Sequence, residues 1–263
     1  MFERRHMVLS ARIALYAFAA VVGACVFSFG NVLVYRVPRG IDFVRGRSAC
    51  PSCGHELVAR DLVPVFSWLA LRGKCRYCGA PIPARYTAVE LAGAACGVVS
   101  VVVWGFAPSA LVGFAFLFML AVIALIDADT KTIPNGLVIA VAVIGLAGLV
   151  WPVADATLVD RAIGVVAVSV PLFILAVVTG GFGGGDVKLM AAVGLVLGWR
   201  LTVLAFFVGV VAGGVFAVWL LVRKRVKGSD TIAFGPFLCG GAAVAVLCGD
   251  PLIAGYLSLF GLM

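Results

Sequence analysis

Charge is scarce in this sequence. Twenty Lys and Arg and twelve Asp and Glu make up 12% of 263 residues, while 63% belong to the apolar set. Soluble domains run near half apolar with about a quarter charged, so this balance excludes an ordinary soluble globule and reads as a membrane protein. The basic residues form no stripe apart from the flanks of the apolar runs. The net charge of +8 therefore reads as membrane anchoring, with no nucleic-acid partner expected. Polar residues are also few along the interiors of the apolar runs. A proton-coupled transporter or channel would want them there, and that reading is the weaker alternative.

The charge that is present divides the chain. No Asp, Glu, Lys or Arg occurs in 13–35, 91–126, 132–154, 162–185, 201–222 or 231–249. About 20 helical residues cross a bilayer core. The run 91–126, extended back to Tyr86, is long enough for two spans hinged near 105–109. That makes seven spans, and the short stretch 187–199 is the candidate eighth. The first run follows Arg4 and Arg5 and resembles a signal peptide, with "VGAC" ending at Cys25. It continues through Val34, too long for a signal h-region, so a retained first helix is expected in preference to lipoprotein cleavage. The fold class that follows is an all-α polytopic membrane protein of about eight transmembrane helices.

Orientation follows the basic residues. The loop 36–85 carries nine of them. With that loop in the cytoplasm, Lys131, Lys188 and the cluster Arg223, Lys224, Arg225, Lys227 also fall inside, provided 187–199 crosses. Arg4, Arg5, Arg12, Arg161 and Arg200 are left outside. As 13 residues reach only about 20 Å, that helix is expected to begin below the surface, with Asp186 in a recessed, wetted pocket.

The same loop reads "CPSCGHELVARDLVPVFSWLALRGKCRYCG". Cys50 and Cys53 are separated by 21 residues from Cys75 and Cys78, so two C-x2-C pairs stand at four-thiolate zinc spacing. Gly54 and Gly79 follow the pairs and allow tight knuckles. Two disulfides are the alternative, disfavoured in a reducing compartment. A loop of about 50 residues has little core of its own, so structural zinc is expected to fold it. His55 reads as a surface residue beside a complete thiolate set. Cys25, Cys96, Cys239 and Cys248 read as small packing residues. "DLVPVFSWLAL" is apolar enough to lie against the membrane face or to cover the knuckles.

Four acids lie near hydrocarbon: Glu90, Asp127, Asp129 and Asp186. Asp127 closes the third span and Asp186 opens the sixth, behind "TGGFGGG". Both fall at cytoplasmic ends, and a carboxylate at a membrane edge is a functional hypothesis by default. Two that converge would hold one proton between them, since like charges a few Å apart do not both ionise easily. The ionised member could then activate water while the protonated one donates to a carbonyl, which is aspartic peptide hydrolysis. The glycines leave room for an extended substrate and let a helix begin at Asp186. The plainer reading makes each aspartate a helix cap, with Asp186 a good N-cap before Val187. Asp129, two residues past Asp127, faces elsewhere and reads as a loop acid near Lys131. Lys188 reads as a snorkelling cation.

These residues resemble a known family. Gly183-Gly184-Gly185-Asp186 fits the GxGD motif of membrane aspartyl proteases, and "ALIDADTKTIPN" resembles the second catalytic segment of type IV prepilin peptidases, in which Asp127 holds the catalytic position. "FSFGNVLVYRVP" resembles that family's "GSFLNVVxxRLP". "CPSCGH", "GKCRYCG", "ARYTAVEL" and "IAFGPFL" match further blocks of its bifunctional bacterial form. The resemblance runs over 28–238. Departures are Phe27 for glycine, Gly30 for leucine, Thr87 for proline after Arg-Tyr, and Ala233 for proline.

The resemblance implies a membrane endopeptidase that removes a basic leader from type IV prepilins or pseudopilins after glycine. It implies Asp127 and Asp186 as catalytic, with Gly183 and Gly185 in the active-site loop. It also implies N-methylation of the new terminus with S-adenosylmethionine, tied to Gly73 and Lys74. No glycine-rich strand–helix signature of a soluble S-adenosylmethionine fold is present. Implied domains are an N-terminal transmembrane helix (1–35), a cytoplasmic zinc-binding loop with Cys50, Cys53, Cys75 and Cys78 (36–85), and a membrane aspartyl peptidase domain (86–263). The setting implied is the bacterial inner membrane, with the active site facing the cytoplasm. A non-catalytic zinc-bearing pilus or secretion assembly factor is the other alternative.

Overall fold

The computed structural model describes residues 2–181, 183–223 and 232–261, with side chains from Ser10 onward. Helices are the only regular elements of more than a few residues there; the extended structure is two isolated bridges, Ala49 with Glu56 and Lys74 with Pro81. Six helices are long and apolar enough to cross a membrane, and Asn135–Ala147 is a shorter apolar one. The chain divides into two compact units, one up to Ala110 and one from Leu111.

In the first unit, α1 (Phe2–Arg36) and α3 (Ala84–Trp104) pack along each other, and the cysteine loop joins them, carrying the short α2 (Phe66–Ala70). In lipid there is no hydrophobic drive to pair two apolar helices, so close backbone approach has to supply it. A Cβ on Gly23 would lie 2.1 Å from the Gly93 carbonyl oxygen, and one on Gly97 would lie 2.2 Å from that of Ala19. Gly93 and Gly97 form a small-x3-small face that admits no side chain. On α2, Phe66 and Leu69 remain exposed while Trp68 turns inward, so this apolar stretch does not cap the knuckles with its largest outward residues.

The second unit contains α4 (Pro108–Thr130), α5 (Asn135–Ala147), α6 (Leu158–Ala167), α7 (Ser169–Thr179), α8 (Gly184–Val222) and α9 (Gly235–Leu259). The hinge expected near 105–109 falls where α3 ends and α4 begins, with Gly105 at φ 70°. The run 162–185 is one span broken at Val168. Pro171 has no N–H and its ring crowds the carbonyl four residues back, so a continuous helix is interrupted there. α8 is two helices joined at Gly198 (φ 74°, ψ 170°), where a Cβ would lie 2.8 Å from that of Ala156. Counting that break and the short α5, the described residues hold eight apolar helical segments, in line with the fold class expected. The short stretch 187–199 begins earlier than expected, at Gly184, and stops at Gly198. α9 runs through Pro251 to Leu259. Of the basic cluster Arg223–Lys227, Arg223 lies within the described residues and the rest outside them.

Arg161, which the sequence reading left on the outer side, is a buried cation. It is 1% exposed and donates to the carbonyls of Val196 (2.7 Å), Leu195 (2.9 Å), Gly148 (3.2 Å) and Ala156 (3.4 Å). The carbonyls of Gly148, Leu195 and Val196 belong to the ends of α5 and of the first part of α8, which a helix leaves without intrahelical donors. A cation at two helix C-termini also complements both dipoles. Arg161→Leu is expected to cost about 3 kcal/mol, since several bonds to a charged donor vanish and leave buried acceptors. Thermal unfolding in detergent checks this, with Arg161→Lys recovering part of the loss.

Candidate active site and metal centre

Three helix termini meet around Asp127. The residue lies in the last turns of α4 and is 5% exposed. Its Oδ2 accepts the Gly235 N–H at 2.9 Å, from the first residue of α9 and 108 positions along the chain. A helix N-terminus has unpaired N–H groups and a positive dipole end, so α9 supplies a fixed donor to a carboxylate otherwise placed at the unfavourable end of its own helix. A Cβ on Gly235 would lie 2.6 Å from the same oxygen, so only glycine fits.

Asp186 is 8% exposed, in the first turn of α8. The helix begins two residues before it, with Gly183 as N-cap, so Asp186 is not the N-cap that the plainer sequence reading supposed. Its Oδ2 reaches back to the Gly183 N–H at 3.2 Å, the acidic half of a capping box. Gly185 faces the segment after α4, where a Cβ would meet that of Ile133 at 3.0 Å. That segment turns at Lys131 (φ 54°), whose N–H donates to the Asp127 carbonyl at 2.7 Å. Lys188 donates to Asn135 Oδ1 at 3.1 Å, closing the same junction from outside.

The Asp127 charge reaches Asp186, and both carboxylates reach the buried Cys239 thiol of α9. The two carboxylates, 59 positions apart in sequence, thus share one electrostatic environment. Asp129 lies in the last turn of α4, not in a loop, and is exposed. Cys239 was expected to be a packing residue, and it is buried. Its place beside both acids had no sequence signal beyond its proximity to "AFGPFL".

In the first unit, the sulfurs of Cys50, Cys53, Cys75 and Cys78 all lie within 4.8 Å of one another. Each pair forms a knuckle: Gly54 N–H to Cys50 carbonyl at 2.8 Å, and Gly79 N–H to Cys75 carbonyl at 3.0 Å, with both glycines at positive φ. All four thiols are free. The Cys50 and Cys78 sulfurs are 3.9 Å apart. A tetrahedron with Zn–S bonds of about 2.3 Å has edges of about 3.8 Å, so the donor set fits zinc. Backbone N–H groups of Cys53 and Ser52 hold the Cys50 thiol down at about 6. His55 stands outside this cluster and packs on Tyr77, ring centroids 3.6 Å apart. Arg76 Nε donates to Asp61 Oδ1 at 2.7 Å and the Tyr77 hydroxyl donates to Asp61 Oδ2 at 2.9 Å; led by the Arg76 bond, these hold the Asp61 carboxyl below its ordinary range despite burial.

Gly73 is at φ 68°, and a Cβ there would meet the Trp68 ring at 3.0 Å. Lys74 beside it is exposed.

Comparison with known proteins places a match on each compact unit. Residues 21–105 match the Bacterial Peptidase A24 N-terminal domain, and residues 114–218 match the Type IV leader peptidase family. A prepilin leader peptidase/N-methyltransferase of Burkholderia pseudomallei (strain 1026b) is 34% identical, over 93% of this chain and 88% of its own. Similarly named proteins of Stutzerimonas stutzeri and Bacillus subtilis (strain 168) are 34% and 30% identical, over 91% and 93% of this chain and 92% and 97% of theirs. No solved structure matches.

Proposed function

This chain belongs to the type IV leader peptidase family, and from that premise we propose that it cleaves the leader of type IV prepilins or pseudopilins after glycine and N-methylates the new terminus. The catalytic pair is Asp127 and Asp186. The observation that carries this reading is the burial of both carboxylates at converging helix ends, each held through Oδ2 by a backbone N–H. With its position fixed in this way, the pair holds one proton between its members. The ionised carboxylate takes a proton from water, which attacks the scissile carbonyl, and the protonated one donates to the carbonyl oxygen. Collapse of the tetrahedral intermediate returns a proton to the leaving amine. Gly183 borders the Asp186 carboxylate, where its lack of a side chain leaves room for an extended peptide, and Gly185 lets the loop pack against Ile133.

The membrane is the bacterial inner membrane, and the pair faces the cytoplasm, as the basic loop 36–85 indicates by the positive-inside bias. Residues 1–35 anchor the chain, 36–85 form the zinc-binding loop tied to methylation, and 86–263 carry the peptidase. S-adenosylmethionine, when bound, supplies a sulfonium methyl group to the freed amine. Of the two residues tied to it by resemblance, Gly73 is packed beneath Trp68, and Lys74 is the one that can meet a ligand. Its cation suits the donor's carboxylate. The test is direct: purified protein in detergent, given a prepilin and labelled S-adenosylmethionine, should yield a shortened, methylated pilin. An intact prepilin refutes the peptidase, and an unlabelled cleaved product refutes the transferase.

A further inference from the structure

Glu90 is a buried carboxylate inside an apolar span, and neither the peptidase pair nor the cysteines use it. It lies in the second turn of α3 and is 9% exposed. Its Oε1 accepts the Ser28 hydroxyl of α1 at 2.7 Å, and its Oε2 accepts the Val65 N–H of the cysteine loop at 2.7 Å. A carboxylate is costly at this depth, so one retained there with both oxygens engaged calls for a role. It touches all three parts of the first unit: one span, the other span, and the loop between them.

What it holds is strained. Val65 is at φ 64°, ψ −52°, a γ-turn backbone closed by the Phe66 N–H to the Pro64 carbonyl at 2.6 Å, which a β-branched residue rarely adopts. This residue launches α2, which carries Trp68. Trp68 Nε1 donates to the Ile82 carbonyl at 3.0 Å, and the Trp68 carbonyl accepts the Gly73 N–H at 2.9 Å. Ile82 N–H returns to the Gly73 carbonyl at 2.7 Å, and Gly73 lies under the indole. Glu90 thus bonds Val65, Val65 begins α2 and accepts the Leu69 N–H at 3.1 Å, and Trp68 on that same short helix packs over Gly73.

We propose that Glu90 is a positioning residue for the methyl-transfer half: by pinning Val65 in its strained positive-φ turn it sets α2, and through Trp68 it sets Gly73 and Lys74. The proposal rests on the transferase assigned above. Glu90→Ala frees Val65 to relax, and methyl incorporation is expected to fall by about tenfold to a hundredfold, as misplacement of a distant group does. Leader cleavage should stay within about twofold. Glu90→Gln keeps an acceptor for the Val65 N–H and is expected to recover most of the loss.

Glycine tolerates positive φ without strain. Val65→Gly in the Glu90→Ala background should therefore restore methylation, whereas a merely structural role would let the two losses add. Hydrogen exchange of 63–74 in the full chain gives a readout apart from activity. Protection should drop in Glu90→Ala and return in the double variant. Additive losses, unchanged exchange in Glu90→Ala, or equal loss of cleavage and methylation would each overturn the proposal. If the wild-type chain methylates nothing, the transferase reading fails and with it the assigned purpose of Glu90; exchange then reports separately on whether Glu90 pins Val65.

Discussion

Asp127→Asn and Asp186→Asn are each expected to abolish leader cleavage, by about a thousandfold or more, while leaving the helical protein folded. The size follows from the chemistry: an amide can neither take a proton from water nor give one to the carbonyl, and groups that act as a unit fail as a unit. The double variant should therefore be no worse than either single one. The fold survives because the bond each residue makes through Oδ2 is an acceptance, which an asparagine carbonyl can repeat toward Gly235 or Gly183. Gly235→Ala tests the geometry separately. Its Cβ would arrive 2.6 Å from Asp127 Oδ2 and force the carboxylate from the α9 N–H. Cleavage should fall although both acids remain. Asp129→Asn should leave activity near wild type, because that side chain is exposed beyond the buried face of α4. Gel mobility of the prepilin and circular dichroism of the detergent-solubilised variants check all five. Full cleavage by either single Asp→Asn variant would remove the pair from the mechanism.

What could be read in advance, and what could not, divides by range. The spans were legible because hydrocarbon imposes a length and forbids charge, and both are local properties of a sequence. The knuckles were legible because a C-x2-C turn with a following glycine closes within a few residues. The acids were legible as membrane-edge carboxylates, but their supports were not. The donor to Asp127 comes from a backbone N–H 108 residues away, and a backbone group carries no residue signature. The burial of Arg161 had no sequence signal, because it depends on which carbonyls the neighbouring helix ends expose. Glu90 stood out as an acid near hydrocarbon, yet its bond to Val65 depends on a strained turn that no propensity favours. The helix expected to begin at Asp186 begins two residues earlier, at Gly184, because Gly183 and Gly184 can begin a helix where larger side chains would have argued for a cap with an oxygen.

Removal of zinc is expected to unfold the loop without dissolving the bundle. The four sulfurs converge with little around them: among the cysteines, Cys53 and Cys78 are exposed, and the loop has no large buried apolar cluster. The contacts that remain are knuckle bonds, the Arg76–Asp61–Tyr77 group and the Trp68–Gly73–Ile82 closure. Structural zinc in small thiolate modules binds with an apparent free energy of about 10–16 kcal/mol, far more than such contacts supply, so binding and folding of the loop are one event. Cys75→Ser should therefore lower zinc from one ion per chain to near none and expose 48–82 to protease, whereas α1 and α3 stay paired through the Gly23, Gly93 and Gly97 contact, which does not involve the metal. Methylation should be lost with the loop, and cleavage retained to the extent that the second unit works alone. Metal analysis of the purified chain decides the first point: a chain with ordered knuckles and no bound zinc would show that thiols alone hold the loop.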